Sequence, residues 1–190
     1  MQCTSLDCSE KAVFHLSWIE NRRCARQAHL CEEHAREAMT PVAFTAPSSP
    51  FNGHRAQLEY AKQFEIGLIV ISEIHDQQVV YLYEVGGTRV FPLLVGIFEA
   101  TSLDRNLKGY PSPRPLTHDA FAAAIRLMGG ELQRVVIHRF ETHIHYAEAG
   151  IRANGRLLQL DIRPSDAFTL AVIFDCPIFV ADRVLEQIGL

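Results

Sequence analysis

Two pairs of side chains that bind transition metals stand near the start of the chain. Cys3 and Cys8 form the first pair, and Cys31 and His34 form the second. Zn²⁺ accepts four such thiolate and imidazole ligands in tetrahedral geometry. A segment of fewer than about 40 residues with little apolar content also needs a link of this kind to fold. We therefore predict a structural zinc site, whose four protein ligands leave no open position for catalysis.

The sequence leaves alternatives open for this site. The first two cysteines are separated by four residues instead of two, so other side chains are possible substitutes. These are Cys24, which is the favoured one, His15 and His29. An odd number of cysteines, five, argues against a disulfide framework, and free cytosolic thiols are the alternative interpretation. Residues 12–19 and 25–30 predict a hairpin before the helix start at Cys31, an arrangement similar to treble-clef zinc sites.

Composition and charge limit the functions that the chain can have. Its 190 residues are 48% hydrophobic, enough for one core and a small additional module. No stretch approaches the roughly 18 apolar residues of a membrane span, and the first residues do not have the pattern of a signal peptide, so we expect a cytoplasmic protein. The formal charge of -4 argues against general coating of nucleic acid, but not against an enzyme that binds a few phosphates.

Three zones follow one another along the chain. Residues 1–39 are the Cys/His zinc knuckle, residues 40–63 contain three prolines that block regular hydrogen bonding and predict a linker, and residues 64–190 form a periodic remainder. Strands are predicted in this remainder at 64–74, 79–85, 90–95, 132–140, 143–152, 157–163 and 177–180. Helices are predicted at 96–107, from a cap at Thr117 to 128, from a cap at Ser165 to 174, and at the end of the chain.

The order of these elements predicts the fold class. Strands and helices do not alternate regularly, so we expect an α+β domain with a mixed β-sheet and packed helices, preceded by the zinc-bound hairpin and helix. Asn154-Gly155 is a strong signal for a tight hairpin turn between the strands at 143–152 and 157–163.

Three sequence motifs carry a resemblance to a known family. They are residues 91–100 (FPLLVGIFEA), 114–119 (RPLTHD) and 161–167 (DIRPSDA), with the tail 177–181 (PIFVA). Their order and separations resemble the bifunctional nuclease (BFN) domain over about residues 64–190. The resemblance implies a domain that hydrolyses both RNA and DNA. The N-terminal segment is not part of that domain and is similar to the cysteine-bearing knuckle of some bacterial chaperone-protease adaptor proteins.

The side chains in these motifs suit phosphodiester hydrolysis, which needs an activated water, cover for phosphate charge and usually hard cations held by carboxylates. We predict catalytic roles for His118, Asp119, Asp161, Asp166 and Glu99, with the carboxylates holding Mg²⁺ or Mn²⁺ and His118 acting as base or acid. We predict that Arg114, Arg163 and Ser165 bind substrate. If the helix starts at 118–119 and 165–166 converge, their backbone N–H groups form an anion pocket.

Structural explanations compete with these roles. An aspartate in the first turn of a helix complements the helix dipole, and Ser165 can cap a helix in any protein. Asp161 and Arg163, two residues apart, can form an ion pair, and Glu99 can simply pair with an arginine.

Three histidines form a further candidate metal site. A turn at residues 141–142 would place His138 opposite His145, on the same strand face as His143. A half-exposed polar face is the alternative interpretation. Cys176 is predicted to be a small buried apolar residue.

Two functions remain open on the sequence alone. The first is a metal-assisted nuclease with low sequence specificity, which binds nucleic acid weakly through phosphates. The second is a non-enzymatic regulator or adaptor, in which the knuckle binds a protein partner and the BFN-like domain forms an oligomeric platform. Continuous apolar strands also predict a homodimer.

Overall fold

The computed structural model describes residues 1–39 and 60–190, and these segments contain nine strands and five helices. The strands are β1 (Phe14–Glu20), β2 (Arg23–Leu30), β3 (Ala61–Ser72), β4 (Gln77–Glu84), β5 (Val90–Gly96), β6 (Gly130–Glu141), β7 (Ile144–Ala153), β8 (Arg156–Ile162) and β9 (Ile178–Ala181). The helices are α1 (Glu32–Ala38), α2 (Ile97–Lys108), α3 (Thr117–Leu127), α4 (Pro164–Phe174) and α5 (Asp182–Gln187). The predicted α+β class with a mixed sheet is confirmed.

Strand β3 is the branch point of the sheet. One edge of β3 pairs with β4, which pairs in turn with β5. The other edge pairs with β1 through residues 68–72 and with β9 through residues 61–64. From β9 the sheet continues through the parallel pair β9–β6 to β7 and β8. Since residues 61–63 pair with β9, β3 begins three residues before the predicted start of the strand, while residues 40–59 of the predicted linker lie outside the described residues.

Two predicted turns can be compared with the structure. Asn154 and Gly155 have φ angles of 50° and 75°, as the predicted hairpin turn between β7 and β8 requires. The turn between β6 and β7 lies at Thr142 and His143, with φ of 51° and 63°, one residue later than predicted. Because side chains alternate along a strand, this shift changes which residues face each other.

Helices α2, α3, α4 and α5 all contribute residues to the larger of two hydrophobic cores. Helix α4 packs against α2, α3, β6 and β7, and its apolar residues are buried on nearly every side.

The predicted N-caps of α3 and α4 are wrong by one or two residues. Leu116 caps α3, because the side chain of Asp119 accepts its backbone N–H, and Arg163 caps α4, because Pro164 takes the first helical position, where no N–H is needed. No helix among the described residues has the length and apolar content to cross a membrane.

A bulge at Gly67 allows a test of core packing. The register of β3 against β4 shifts between Ile66 and Leu68, and a Cβ atom on Gly67 would overlap the buried ring of Tyr83. We expect Gly67→Ala to lower the free energy of unfolding by about 1–3 kcal/mol, measured by urea denaturation.

Gly150→Ala is the matched control for this substitution. A Cβ atom there would lie 3.2 Å from Cγ of Arg134, a long side chain that can move aside. Equal losses of stability in the two variants would contradict the packing argument.

Candidate functional site

Polar side chains from three helices meet where α3 and α4 begin. His118 is the second residue of α3 and Asp166 the third of α4, and His118 Nε2 lies 2.9 Å from Asp166 Oδ1. These two side chains are 12% and 18% exposed, so the bond is largely shielded from water. The two helix starts that the sequence singled out therefore do converge.

The other ring nitrogen of His118 contacts α2. Its Nδ1 lies 3.0 Å from Oγ of Ser102, a residue that the sequence reasoning did not single out. Both nitrogens of one imidazole are thus engaged, one by a hydroxyl and the other by a carboxylate. The spacing in the sequence could have indicated Ser102 as a site residue, because it follows Glu99 by three residues and so lies on the same helix face.

Arg163 closes the site on the side of solvent. Its Nε and Nη2 lie 2.7 and 3.1 Å from the two carboxylate oxygens of Asp166, and Nη2 also lies 2.9 Å from Oε1 of Glu99. The side chain of Arg163 is 68% exposed. The guanidinium therefore links α2 to α4 while part of it faces solvent. The structural alternative for Glu99, pairing with an arginine, is realised.

Asp119 forms a separate ion pair. Nη2 of Arg105 lies 2.8 and 2.9 Å from its two carboxylate oxygens, and Leu116 N–H donates to Oδ2 at 3.0 Å. The geometry therefore realises the structural alternative for Asp119, a carboxylate in the first helical turn. Arg105, its partner on α2, was also missed, because 14 residues separate the two in sequence.

One face of α2 contacts His118, Asp119 and Arg163. Glu99, Ser102 and Arg105 are spaced by three residues and contact Arg163, His118 and Asp119 in turn. Residues at this spacing are neighbours on a helix surface. This face therefore fixes the starts of α3 and α4 relative to each other.

The remaining predicted site residues lie at the edges. Asp161 is exposed on β8 opposite Glu148, and Arg114 is exposed in the segment before α3. Neither side chain has an ion pair within the described part of the chain, and the proposed Asp161–Arg163 pair is not formed because Arg163 turns towards α4. Ser165 is the second residue of α4, one position after its proline.

Neighbouring donors stabilise the charged forms of Asp166 and Asp119. Burial raises the pKa of Asp166, but hydrogen bonds from His118 and Arg163 outweigh this effect and hold it below the ordinary value. Burial also raises the pKa of Asp119, but the hydrogen bonds from the Leu116 N–H and from Arg105 outweigh this effect and hold the pKa below its ordinary value. Both carboxylates are therefore ionised at neutral pH.

The predicted carboxylate metal site is not assembled. In residues 1–39 and 60–190, one group of three or more metal-binding side chains converges, and it consists of Cys3, Cys8, Cys31 and His34. Glu99, Asp119 and Asp166 each contact an arginine instead, and Asp161 stands apart on β8. The four carboxylates do not fit a shared Mg²⁺ or Mn²⁺.

The Cys/His group fits Zn²⁺. Its four ligand atoms lie within 4.8 Å of one another, with 3.9 Å between the sulfurs of Cys8 and Cys31 and 3.7 Å between Cys3 Sγ and His34 Nδ1. Around a tetrahedral zinc ion, two sulfurs lie about 3.8 Å apart and a sulfur and a nitrogen about 3.5 Å apart. Hydrogen bonds from the backbone and ring of His34 lower the pKa of Cys31 to about 7, which favours the thiolate that binds metal.

The possible substitutes lie elsewhere. His15 and His29 contact each other, with 2.7 Å between their Nδ1 atoms, and His15 Nε2 lies 3.0 Å from Glu73. Cys24 packs at the margin of the large core, and Cys176 is buried in that core, where burial raises the pKa of its thiol to about 12. The zinc ligands predicted first are therefore the ones that converge.

The predicted metal site of three histidines on β6 and β7 is not formed, so this prediction is wrong. His143 lies in the turn, and Phe140, not His138, stands opposite His145. A bulge between Ile137 and Arg139 adds to the one-residue shift of the turn. The ring of His145 packs on Phe91 and Phe140, with centroids 5.3 and 4.5 Å away, and burial lowers its pKa.

Comparisons with known proteins agree with the motifs. Residues 80–190 match the family model of the bifunctional nuclease domain. Uncharacterized proteins from two strains of Mycobacterium tuberculosis are each 33% identical to this chain over 122 residues, which covers 64% of this chain and 73% of theirs. The chain therefore belongs to the bifunctional nuclease domain family.

Zinc binding can be tested by substitution. We expect the purified chain to hold about one zinc ion, and Cys31→Ser to lose it, because three ligands bind zinc less tightly than four. Metal content measured by elemental analysis gives the result. Cys24→Ser is the control and is expected to keep its zinc. Loss of zinc in Cys24→Ser but not in Cys31→Ser would show that Cys24, not Cys31, is the ligand.

The ion pair of Asp119 predicts a dependence of stability on pH. We expect Asp119→Asn to lower the free energy of unfolding by about 1–3 kcal/mol at pH 7, because a charged hydrogen-bond acceptor is lost. The folded-state pKa of Asp119 is lowered, so its contribution is present above the unfolded pKa of about 4 and disappears as the pH falls through the folded pKa. Urea denaturation at several pH values measures the difference.

Asp161→Asn is the control for this comparison, since Asp161 is exposed and unpaired among the described residues. A loss in Asp119→Asn that stays constant down to pH 3 would show that the charge of Asp119 does not stabilise the fold.

Proposed function

We propose that this protein hydrolyses phosphodiester bonds in RNA, DNA or both, with low sequence specificity. The observation that carries the proposal is the contact of His118 with Ser102 and Asp166 beside the exposed Arg163. Membership of the bifunctional nuclease domain family supports a nuclease-like activity and the binding of nucleic acid.

The residues of the site divide the work of hydrolysis. His118 accepts and returns a proton, because a neutral imidazole can do both near neutral pH. Asp166 holds the ring in place through its hydrogen bond to Nε2. Arg163 binds the phosphate with the part of its guanidinium that remains accessible from solvent. Its Nε contacts Asp166 and its Nη2 contacts Glu99, and these contacts hold the side chain in place.

Low specificity follows from the kind of contacts available. Arg163 and the predicted substrate-binding residues Arg114 and Ser165 suit phosphate, and phosphate contacts position a nucleic acid without reading its sequence. With a net charge of -4, the protein binds its substrate weakly, and added salt weakens binding further.

Metal assistance by Mg²⁺ or Mn²⁺ remains a prediction from the sequence. Of the predicted carboxylates, Glu99 and Asp166 share one partner, Nη2 of Arg163. A hard cation bound between them would have to displace that guanidinium. The cleavage assay that tests the proposal therefore includes Mg²⁺, Mn²⁺ and a chelator.

Other expectations from the sequence also remain predictions. They are the division into knuckle, linker and nuclease domain, the cytoplasmic location, the homodimer, and the adaptor function with a protein partner at the knuckle. The adaptor reading would account for a folded protein that cleaves no nucleic acid.

Substitution of His118 and Arg163 tests the proposal. We expect His118→Asn to reduce the rate of cleavage of labelled RNA and DNA by about 10²–10⁴-fold, since it removes the group that transfers protons. Arg163→Gln should reduce kcat/KM by about tenfold or more, because one charged phosphate contact is lost. Each protein is assayed with Mg²⁺, with Mn²⁺ and with excess chelator.

Arg156→Gln is the matched control, because Arg156 is an exposed arginine at the far end of β8, about 20 Å along the strand from Arg163. Circular dichroism checks that all variants fold. Cleavage by His118→Asn at the wild-type rate would assign the activity to other residues or to a contaminant. No cleavage by the wild type under any metal condition would favour the adaptor function.

A further inference from the structure

Ser102 occupies an unusual position for a serine inside a helix. It is the sixth residue of α2, between Glu99 and Arg105 on the face that meets α3 and α4. Serine favours helix formation less than alanine does, and inside helices its hydroxyl often bonds to a carbonyl of the preceding turn. Here its hydroxyl contacts His118 Nδ1 at 3.0 Å. The side chain therefore serves the contact with α3.

The proton positions follow from the partners of His118. Asp166 is ionised, so its carboxylate can only accept, and Nε2 of His118 must carry the proton that is donated to it. In the neutral ring, Nδ1 is then the acceptor, and the Ser102 hydroxyl donates to it. A hydroxyl, a base that accepts its proton and a carboxylate that orients the base are the parts of an activated nucleophile.

We infer that Ser102 is the nucleophile of the site and forms a covalent phosphoserine intermediate with the substrate; this inference rests on the proposed phosphodiester hydrolysis. The Ser102 Oγ–His118 Nδ1 and His118 Nε2–Asp166 Oδ1 distances, 3.0 and 2.9 Å, lie within the range for a nucleophile, base and orienting group. A water molecule that used His118 directly would first have to displace Ser102 or Asp166 from the ring.

The reaction has two balanced steps. In the first, Ser102 Oγ attacks phosphorus, the bond from phosphorus to one ester oxygen breaks, and the serine proton passes through His118 to the departing alkoxide. In the second, water attacks the phosphoserine, His118 takes the proton of the water, and the bond from phosphorus to Oγ breaks. The proton then returns to Oγ, which restores the free enzyme.

The surroundings of Ser102 suit the charge of a phosphate. Arg163 contacts Glu99, the residue one turn before Ser102 on α2, and its side chain is largely exposed to solvent. The eleven-residue helices α3 and α4 both begin at the site, so their positive dipole ends favour a transferring phosphoryl group. Charge stabilisation and nucleophile therefore meet at one place.

The stereochemistry at phosphorus decides between one displacement and two. The full chain would cleave a nucleic acid that carries a phosphorothioate of single configuration, in water enriched in oxygen-18. We expect retention of configuration, because each of two displacements inverts phosphorus. Inversion would overturn the inference and leave Ser102 as a residue that positions His118, with the nuclease proposal intact.

A fluorophosphonate probe tests the nucleophile without a nucleic acid. We expect the probe to label Ser102, as located by mass spectrometry of peptides, and expect labelling to vanish in Ser102→Ala and in His118→Asn. In the cleavage assay, Ser102→Ala should lower kcat by about 10²-fold or more with little change in KM. Thr101→Ala, at the exposed neighbouring hydroxyl on α2, is the control and should keep labelling and cleavage.

The outcomes separate this inference from the proposed function. Cleavage by Ser102→Ala at the wild-type rate, with inversion, overturns the nucleophile and supports a nuclease that uses water directly. A wild type that cleaves nothing but is labelled at Ser102 overturns the nuclease and keeps an activated serine. A wild type that cleaves nothing and is not labelled overturns both.

Discussion

The bond from His118 to Asp166 joins the first turns of two helices, so the positive ends of their dipoles lie close together. The positive ends of α3 and α4 would repel at this distance without negative charge between them. Asp166 supplies that charge at its contact with His118, and Asp119 complements the dipole of α3 at its own helix start; neighbouring donors hold both carboxylates ionised. The carboxylates that the sequence marked as catalytic therefore also make the convergence of the two helices possible.

Helix α2 turns this convergence into a site. On its polar face, Glu99 contacts Arg163, Ser102 contacts His118, and Arg105 contacts Asp119. Its opposite face contributes Ala100, Leu103 and Leu107 to the core. Burial on one side thus fixes the angle at which the polar side is presented. The same helix period that packs the core aligns Ser102 with the imidazole.

Much of the fold could be predicted because its signals are local. Apolar alternation, Asn154-Gly155 and the positions of proline are read from neighbouring residues. The histidine cluster failed for a different reason: a turn shifted by one residue and a bulge at 137–139 placed Phe140 opposite His145. The partners of Asp119 and His118 could not be predicted either, since Arg105 and Ser102 lie 14 and 16 residues before the side chains they bind. Such choices depend on tertiary packing, which spacing alone does not encode.

The segment that carries the Cys/His group is connected to the same framework through β3. Its strand β1 pairs with residues 68–72 of β3, while residues 61–64 of that strand pair with β9, the strand that precedes α5 and follows α4. The small core beneath the cysteines includes Leu68 and Val70 of β3 together with Phe14 and Leu16 of β1. A zinc ion bound by these side chains would thus support one half of a strand whose other half pairs with β9, the strand that follows α4. The Cys/His group and the helices that carry Ser102, His118 and Asp166 are therefore linked through β3, although the two groups of side chains lie apart.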